Sequence, residues 1–125
     1  MWPYSFVTRE EFEKRKDFVG STLCRLGCTT EPWPPQEMTM YGRGFQETWI
    51  SERLLYRIDE LYITISEVLF SKPFIVLEIG HTREEATRKN MEDTDPFPYD
   101  LSDEQIVLEV KRSLGWEEYP GRNVP

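Results

Sequence analysis

The feature that most constrains the fold is an apolar run near the middle of the chain, Phe74-Ile75-Val76-Leu77-Glu78-Ile79-Gly80. The run is too short for a comfortable helix, and it contains adjacent β-branched residues. Its first four residues show no alternation with polar ones, so we expect a central strand that is covered on both faces. Glu78 is its one charge, and we expect this carboxylate to meet water near the strand end. A lone carboxylate there lacks the partner that acid–base catalysis needs.

The segment before this run fits two structures. Tyr62-Ile63-Thr64-Ile65 combines β-branching with alternation, which favours a strand over Leu61–Leu69. That strand would pair with the central run across Phe70-Ser71-Lys72-Pro73. Leucines and isoleucines between Ser51 and Leu69 also fit helical spacing, so a helix over Asp59–Ser71 is the alternative. Pro73 would end such a helix.

Further upstream, the pattern predicts a hairpin preceded by a connector. Met38–Tyr41 alternates as a strand does, Gly42-Arg43-Gly44 has the composition of a hairpin loop, and Phe45–Ile50 would be the returning strand. Thr29–Gln36 contains three prolines, which exclude a helix and a central strand. We therefore expect that segment to be an extended connector.

Capping boxes predict the starts of three helices, because a hydroxyl and a side-chain acceptor three residues apart satisfy each other's backbone N–H groups. The first helix would bury Phe12, Val19 and Leu23, and the last would bury Ile106 and Val110. The boxes are Thr8-Arg9-Glu10-Glu11, Thr82-Arg83-Glu84-Glu85 and Ser102-Asp103-Glu104-Gln105, with ends expected near Gly27, Asn90 and Gly115.

Together these elements predict an α+β fold, with a small, mainly antiparallel sheet flanked by an N-terminal and a C-terminal helix. A chain of 125 residues is long enough for one domain that folds without disulfides or metals. We expect a single domain over residues 1–125, with loose tails at the first few residues and at residues 119–125.

Composition narrows the class of partner. The formal net charge is -8, which disfavours nucleic acid and suits a basic protein, although acidity can also serve solubility alone. The N-terminus has no leader pattern and no apolar run approaches a membrane span, so we expect a cytoplasmic protein without membrane contact.

Cys24, Cys28 and the sole histidine, His81, do not complete a zinc site. We expect free thiols, no metal and no cofactor.

The sharpest asymmetry is an acidic segment, in which no basic residue occurs between Lys89 and Lys111. A calcium loop from Asp93 is disfavoured because Pro96 follows, and no spacing selects a catalytic carboxylate pair. Two readings stay open: a solvated loop, or a protein-binding face stiffened by proline. On the second reading the contact residues are Glu92, Asp93, Asp95, Phe97, Tyr99, Asp100, Asp103 and Glu104, with the two aromatics as apolar anchors.

Three stretches then suggest a family: Pro73-Phe74-Ile75-Val76-Leu77-Glu78, Glu84-Glu85-Ala86 and Met91–Leu101. Residues 73–114 resemble the small acidic immunity proteins of bacterial contact-dependent inhibition and related polymorphic toxin systems. The resemblance implies a non-enzymatic antidote that binds one cognate toxin domain and blocks it, and such toxins are often basic nucleases. The alternatives are a phage-type protein inhibitor or nucleic-acid mimic, and a small hydrolase with carboxylate chemistry. The sequence does not predict the oligomeric state.

Overall fold

The computed structural model describes residues 2–42, 44–87 and 95–116, and within them it confirms the α+β class. Five strands form one antiparallel sheet in the order β1-β2-β3-β4-β5, with a helix near each end of the chain. The elements are α1 (Arg9–Arg25), β1 (Thr29–Gly42), β2 (Phe45–Ile58), β3 (Leu61–Leu69), β4 (Pro73–Gly80), α2 (Arg83–Thr87), β5 (Phe97–Pro98) and α3 (Asp103–Ser113).

The central hairpin is the predicted one. β3 and β4 pair in register from Leu69 with Pro73 to Tyr62 with Gly80, so the alternative helix over Asp59–Ser71 is wrong. β4 is buried on both faces, as its unbroken apolar run predicts. Consecutive side chains of a strand point to opposite faces, so the sheet needs a cover on each side.

Helices α1 and α3 cover the first face. Phe12, Val19 and Leu23 of α1 and Ile106 and Val110 of α3 are fully buried in one cluster with the sheet. Each fully buried side chain of this size contributes about 1.5–3 kcal/mol, so this cluster is the main source of stability.

Both helices start and end where the sequence predicts. Thr8 and Ser102 are N-caps with complete capping boxes. Gly27 and Gly115 follow the C-caps with φ of 111° and 78°, a backbone conformation that glycine adopts without strain. In each case the next residue donates its N–H back to the last turn of the helix, which closes it.

Helix α2 lies on the second face. Its Ala86 is fully buried, and the Thr64 hydroxyl of β3 donates a hydrogen bond to the Ala86 carbonyl. A Cβ on Gly80 would collide with the backbone of α2, so the close approach of helix and strand requires glycine there.

The expectation that Glu78 meets water is wrong. Glu78 is only 6% exposed. It is the register partner of Thr64, so it lies on the face of the sheet against which α2 packs. The sequence of β4 does not predict the burial of Glu78, because the residues that cover it belong to a separate element, α2.

Strand β1 replaces the expected connector over Thr29–Gln36. A strand is possible here because β1 is the edge of the sheet, where proline removes no ladder bond on the open side. The register shifts between Trp33 and Gln36, at the Pro34-Pro35 pair. The predicted hairpin is confirmed, since Gly42 pairs with Phe45.

The β1–β2 hairpin extends beyond the rest of the sheet. Only Tyr56–Ile58 of β2 pairs with β3. The two segments Gln36–Gly42 and Phe45–Ser51 therefore pair with each other and with no third strand in the described part of the chain. We call these two segments the ribbon. Among the described residues, no helix has the length and apolar character needed to cross a bilayer.

Candidate functional site

Three of the four described acids of the predicted contact segment, Asp95, Asp100 and Asp103, are ion-paired within the chain. Glu104 is exposed and has no ion-pair partner among the described residues, and Glu92 and Asp93 lie outside them. The hydrogen bond to Glu109 raises the pKa of the Arg112 guanidinium above its ordinary value, and Asp95 adds to this effect. The pairs are Asp95 and Glu109 with Arg112, Asp100 with Lys72 at 3.2 Å, and Asp103 with Arg15 at 2.9 Å. The described acids are thus largely compensated, and they do not form an isolated negative patch.

Arg15 of α1 holds the loop that leads into α3. Its Nε donates to the Tyr99 carbonyl at 3.2 Å, and its Nη2 donates to the Leu101 carbonyl at 2.7 Å. Its Nη1 donates to Asp103 Oδ1 at 2.9 Å. A planar guanidinium with several fixed donors suits this task, and an ammonium group would not reach all three acceptors. The sequence gave no signal for the contact, because Arg15 stands in a charged stretch that predicts only an exposed helix face.

Phe97 is not a surface anchor. Its side chain is 2% exposed, because β5 pairs with β4 and places Phe97 opposite Ile75 in the core. A buried ring does not contact a partner, so the structure removes Phe97 from the predicted contact set. Tyr99 is half-buried, with its ring edge against Phe12 at a centroid distance of 6.3 Å.

The first residues of the chain, predicted to be a loose tail, are packed against the domain. The Trp2 indole donates to the Val7 carbonyl at 2.7 Å, and its ring lies 5.7 Å from that of Phe12. The Tyr4 hydroxyl donates to the Phe70 carbonyl at 2.7 Å. Partial burial raises the pKa of Tyr4, with the Glu67 carboxylate as a second cause. These contacts join the N-terminus to the β3–β4 turn.

This junction brings two groups of aromatic rings together through the Tyr4–Phe70 hydrogen bond, and in them Phe6 and Phe70 are exposed and the other rings half-buried. We call these residues the aromatic cluster: Trp2, Tyr4, Phe6, Phe70 and Phe74. The rings meet in edge-on contacts at centroid distances of 5.1 Å for Trp2–Tyr4, 5.5 Å for Tyr4–Phe6 and 5.4 Å for Phe70–Phe74. Phe6 is 60% exposed and Phe70 is 53% exposed. Contiguous exposed apolar groups are typical of protein interfaces, where aromatic residues are also enriched.

The aromatic cluster adjoins part of the predicted contact segment. The Phe70 N–H donates to the Lys72 carbonyl at 3.2 Å, and Lys72 binds Asp100. The Tyr99 N–H donates to the Pro73 carbonyl at 3.3 Å in the same turn. The structure therefore brings Tyr99 and Asp100 beside the cluster, on one side of the domain. The alternating aromatics Trp2, Tyr4 and Phe6 are the sequence signal that could have indicated this surface, although the sequence analysis above predicts a loose tail there.

A shallow groove of about 300 Å³ lies on the outer side of α3, lined by Leu101, Gln105, Leu108, Glu109 and Arg112. Its size is at the lower limit of small-molecule sites. The two leucines are half-buried, and an ion pair between Glu109 and Arg112 forms part of the wall. The groove suits one apolar side chain of a partner better than a cofactor.

Groups of three or more potential metal ligands are absent among the described residues. Cys24 is exposed and Cys28 is buried, and both are free thiols. Burial raises the pKa of Cys28 to about 11, with Cys24 as a second cause.

No protein-family model, no curated protein and no solved structure matches the chain.

Proposed function

We propose that the chain is a toxin-neutralising immunity protein, a non-enzymatic binding protein that captures a basic cognate toxin domain in the cytoplasm and blocks it. The observation that carries the proposal is the aromatic cluster, with Phe6 and Phe70 more than half exposed beside the acid-bearing segment. Exposed aromatics next to charged groups combine the two features of a binding hot spot and its rim.

The net charge of -8 supports a basic partner, because opposite charges accelerate the encounter of two proteins. In the contact itself, the internal ion pairs do not prevent Asp100 and Asp103 from taking part. Their side chains are 46% and 68% exposed. Surface pairs contribute only about 0–1 kcal/mol, so a toxin lysine or arginine can replace the internal cation at little cost.

The aromatic cluster supplies the apolar part of the proposed contact with the toxin. Phe6 and Phe70 take the anchor role that the sequence assigned to Phe97, and Tyr99 extends the same surface. Aromatic rings lose few rotatable bonds on binding, so an ordered cluster binds with a small entropy cost. Glu92 and Asp93 remain predicted contact residues outside the described part of the chain.

The test uses the protein encoded directly upstream of this chain as the probe. We expect its C-terminal domain to arrest growth of a bacterial host, and co-expression of the present chain to restore growth. Calorimetry should show a complex of nanomolar affinity, or roughly 12 kcal/mol. Failure of both rescue and binding would refute the proposal.

A matched set of variants locates the surface. Phe6→Ala with Phe70→Ala should weaken binding at least about 100-fold, because truncation of buried aromatic anchors is among the costliest interface changes. Leu54→Ala serves as the control, since Leu54 is a further exposed large apolar residue and lies on β2. Equal losses in the double variant and the control would reject the aromatic cluster as the binding surface.

A further inference from the structure

One carboxylate of β3 is buried with an oxygen that accepts no hydrogen bond. The side chain of Glu67 is 6% exposed, and its Oε1 lies 3.9 Å from Lys16 Nζ. Its Oε2 is buried and has no hydrogen-bond partner among the described residues. Leaving a buried acceptor without a donor destabilises a fold, and a charged acceptor does so most, so native proteins contain few of them. The free oxygen of Glu67 can therefore accept a donor from a binding partner.

Glu67 lies beside the N-terminal half of the aromatic cluster. The Tyr4 hydroxyl donates to the carbonyl of Phe70, three residues after Glu67, at 2.7 Å. Burial raises the pKa of Tyr4, and the charge of Glu67 raises it further, as a carboxylate close to the phenol does. The carboxylate and the Tyr4 ring are therefore neighbours on one side of the domain.

The charges around Glu67 do not balance. Lys16 is nearly buried and is shared by two carboxylates, Glu67 at 3.9 Å and Glu13 at 3.6 Å, so the group has a net charge of -1. Both distances are longer than the roughly 3.2 Å limit of an N–H···O hydrogen bond. Lys16 thus leaves both carboxylates able to accept a stronger contact, and of the two only Glu67 is buried.

The neighbouring rings also favour a cation. Arg9 Cζ lies 4.9 Å from the centroid of the Trp2 ring, and Lys16 Nζ lies 5.8 Å from that of Phe12. The faces of aromatic rings carry partial negative charge and attract cations within about 6 Å. A cation that reaches Glu67 beside Tyr4 is stabilised by ring and carboxylate together, whereas a neutral donor gains the hydrogen bond alone.

We infer that Glu67 is the acceptor for one lysine or arginine of the toxin, which inserts beside Tyr4 at the N-terminal half of the aromatic cluster. The inference rests on the proposed function and names the partner group that this surface selects. Residues 2–7 contain no helix or strand. Their movement to admit the cation therefore breaks no regular backbone hydrogen bonding, and segments of this kind open at low free energy.

The test is calorimetry of the full chain with the toxin domain encoded directly upstream. Glu67→Gln keeps the size of the side chain and removes its charge. It should weaken binding at least about 30-fold, because a buried charge on the toxin then lacks its partner. The matched control is Glu13→Gln, which removes the same charge from the 42% exposed partner of Lys16 and should change the affinity less than about threefold.

Two further measurements separate binding from folding. In the free chain, Glu67→Gln should leave Tm unchanged or raise it, because it removes a buried charge whose Oε2 has no donor. In a double-mutant cycle, each lysine and arginine of the toxin is replaced in turn by methionine. One replacement should weaken binding to the wild-type chain and have little further effect on binding to Glu67→Gln.

The outcomes distinguish this inference from the proposed function. If the wild-type chain forms no complex, the proposed function is refuted and the inference falls with it. If a complex forms and Glu67→Gln weakens it no more than Glu13→Gln does, the inference alone is overturned. It is also overturned if every toxin replacement is additive with Glu67→Gln, or if Glu67→Gln does not fold, since the carboxylate would then serve the fold.

Discussion

Arg15→Ala is the most informative single change, because one side chain holds the loop that joins β5 to α3. The two carbonyl acceptors, on Tyr99 and Leu101, are in partly buried contacts at 3.2 and 2.7 Å. A hydrogen bond from a charged donor contributes about 1.5–3 kcal/mol when buried, and we take about 1–1.5 kcal/mol for each of these. The Asp103 pair is more exposed and adds at most about 1 kcal/mol.

The expected loss in free energy of unfolding is therefore about 2–4 kcal/mol. For a chain of this size that corresponds to a fall in Tm of about 10 °C. Urea unfolding followed by circular dichroism measures it, with an unchanged m-value showing that the two-state transition is kept. Arg15→Lys should recover less than half of the loss, because an ammonium group does not reproduce the planar array of donors.

Two controls separate the loop contacts from charge alone. Lys14→Ala removes the neighbouring exposed cation of α1 and should change stability by less than about 0.5 kcal/mol. Asp103→Asn removes only the exposed ion pair and should cost less than about 1 kcal/mol. If Arg15→Ala costs no more than these two, the carbonyl contacts do not stabilise the loop and the reasoning fails.

The remaining predictions concern the packing of α1 and the thiol that follows it. Gly20→Ala should destabilise by about 1–3 kcal/mol, although alanine favours helix, because its Cβ would collide with the Tyr56 hydroxyl. Tyr56→Phe should remove most of that penalty in thermal unfolding, and additive effects would contradict the contact. At pH 8 iodoacetamide should modify Cys24 and spare Cys28, since only Cys24 is exposed. The raised pKa of Cys28 means that stability falls as pH rises from 9 towards 11, by up to roughly 2 kcal/mol, because the unfolded thiol ionises first. Cys28→Ala should remove that part of the fall, and an identical pH profile in this variant would refute the assignment.

The parts of the fold that sequence predicts well are those set by neighbouring residues. Capping boxes at Thr8 and Ser102 and the glycines after each helix depend on contacts within a few residues, and the structure confirms them. β-branched residues around Ile63 likewise identified the strand correctly.

The parts that sequence misses depend on distant partners. Glu78 is buried because a separate helix packs on its face of the sheet, and Phe97 is buried because its segment adds to the edge of β4. The acids looked unpaired because their cations are remote in the chain: Lys72 is 28 residues from Asp100, and Arg15 is 88 residues from Asp103. No local pattern contains that information, so an acidic run in a sequence does not establish a negative surface.

The contacts of Arg15 also determine when, during synthesis of the chain, the loop into α3 can reach its final structure. They join α1 to residues 84, 86 and 88 positions later, so Arg15 has none of these three acceptors until residues 99–103 have been synthesised. Contacts of such long sequence separation form late in folding. A ribosome-bound chain that ends before residue 99 lacks those acceptors, and its loop into α3 is not yet made. The domain therefore reaches its final arrangement only after residues 99–103 have left the ribosome.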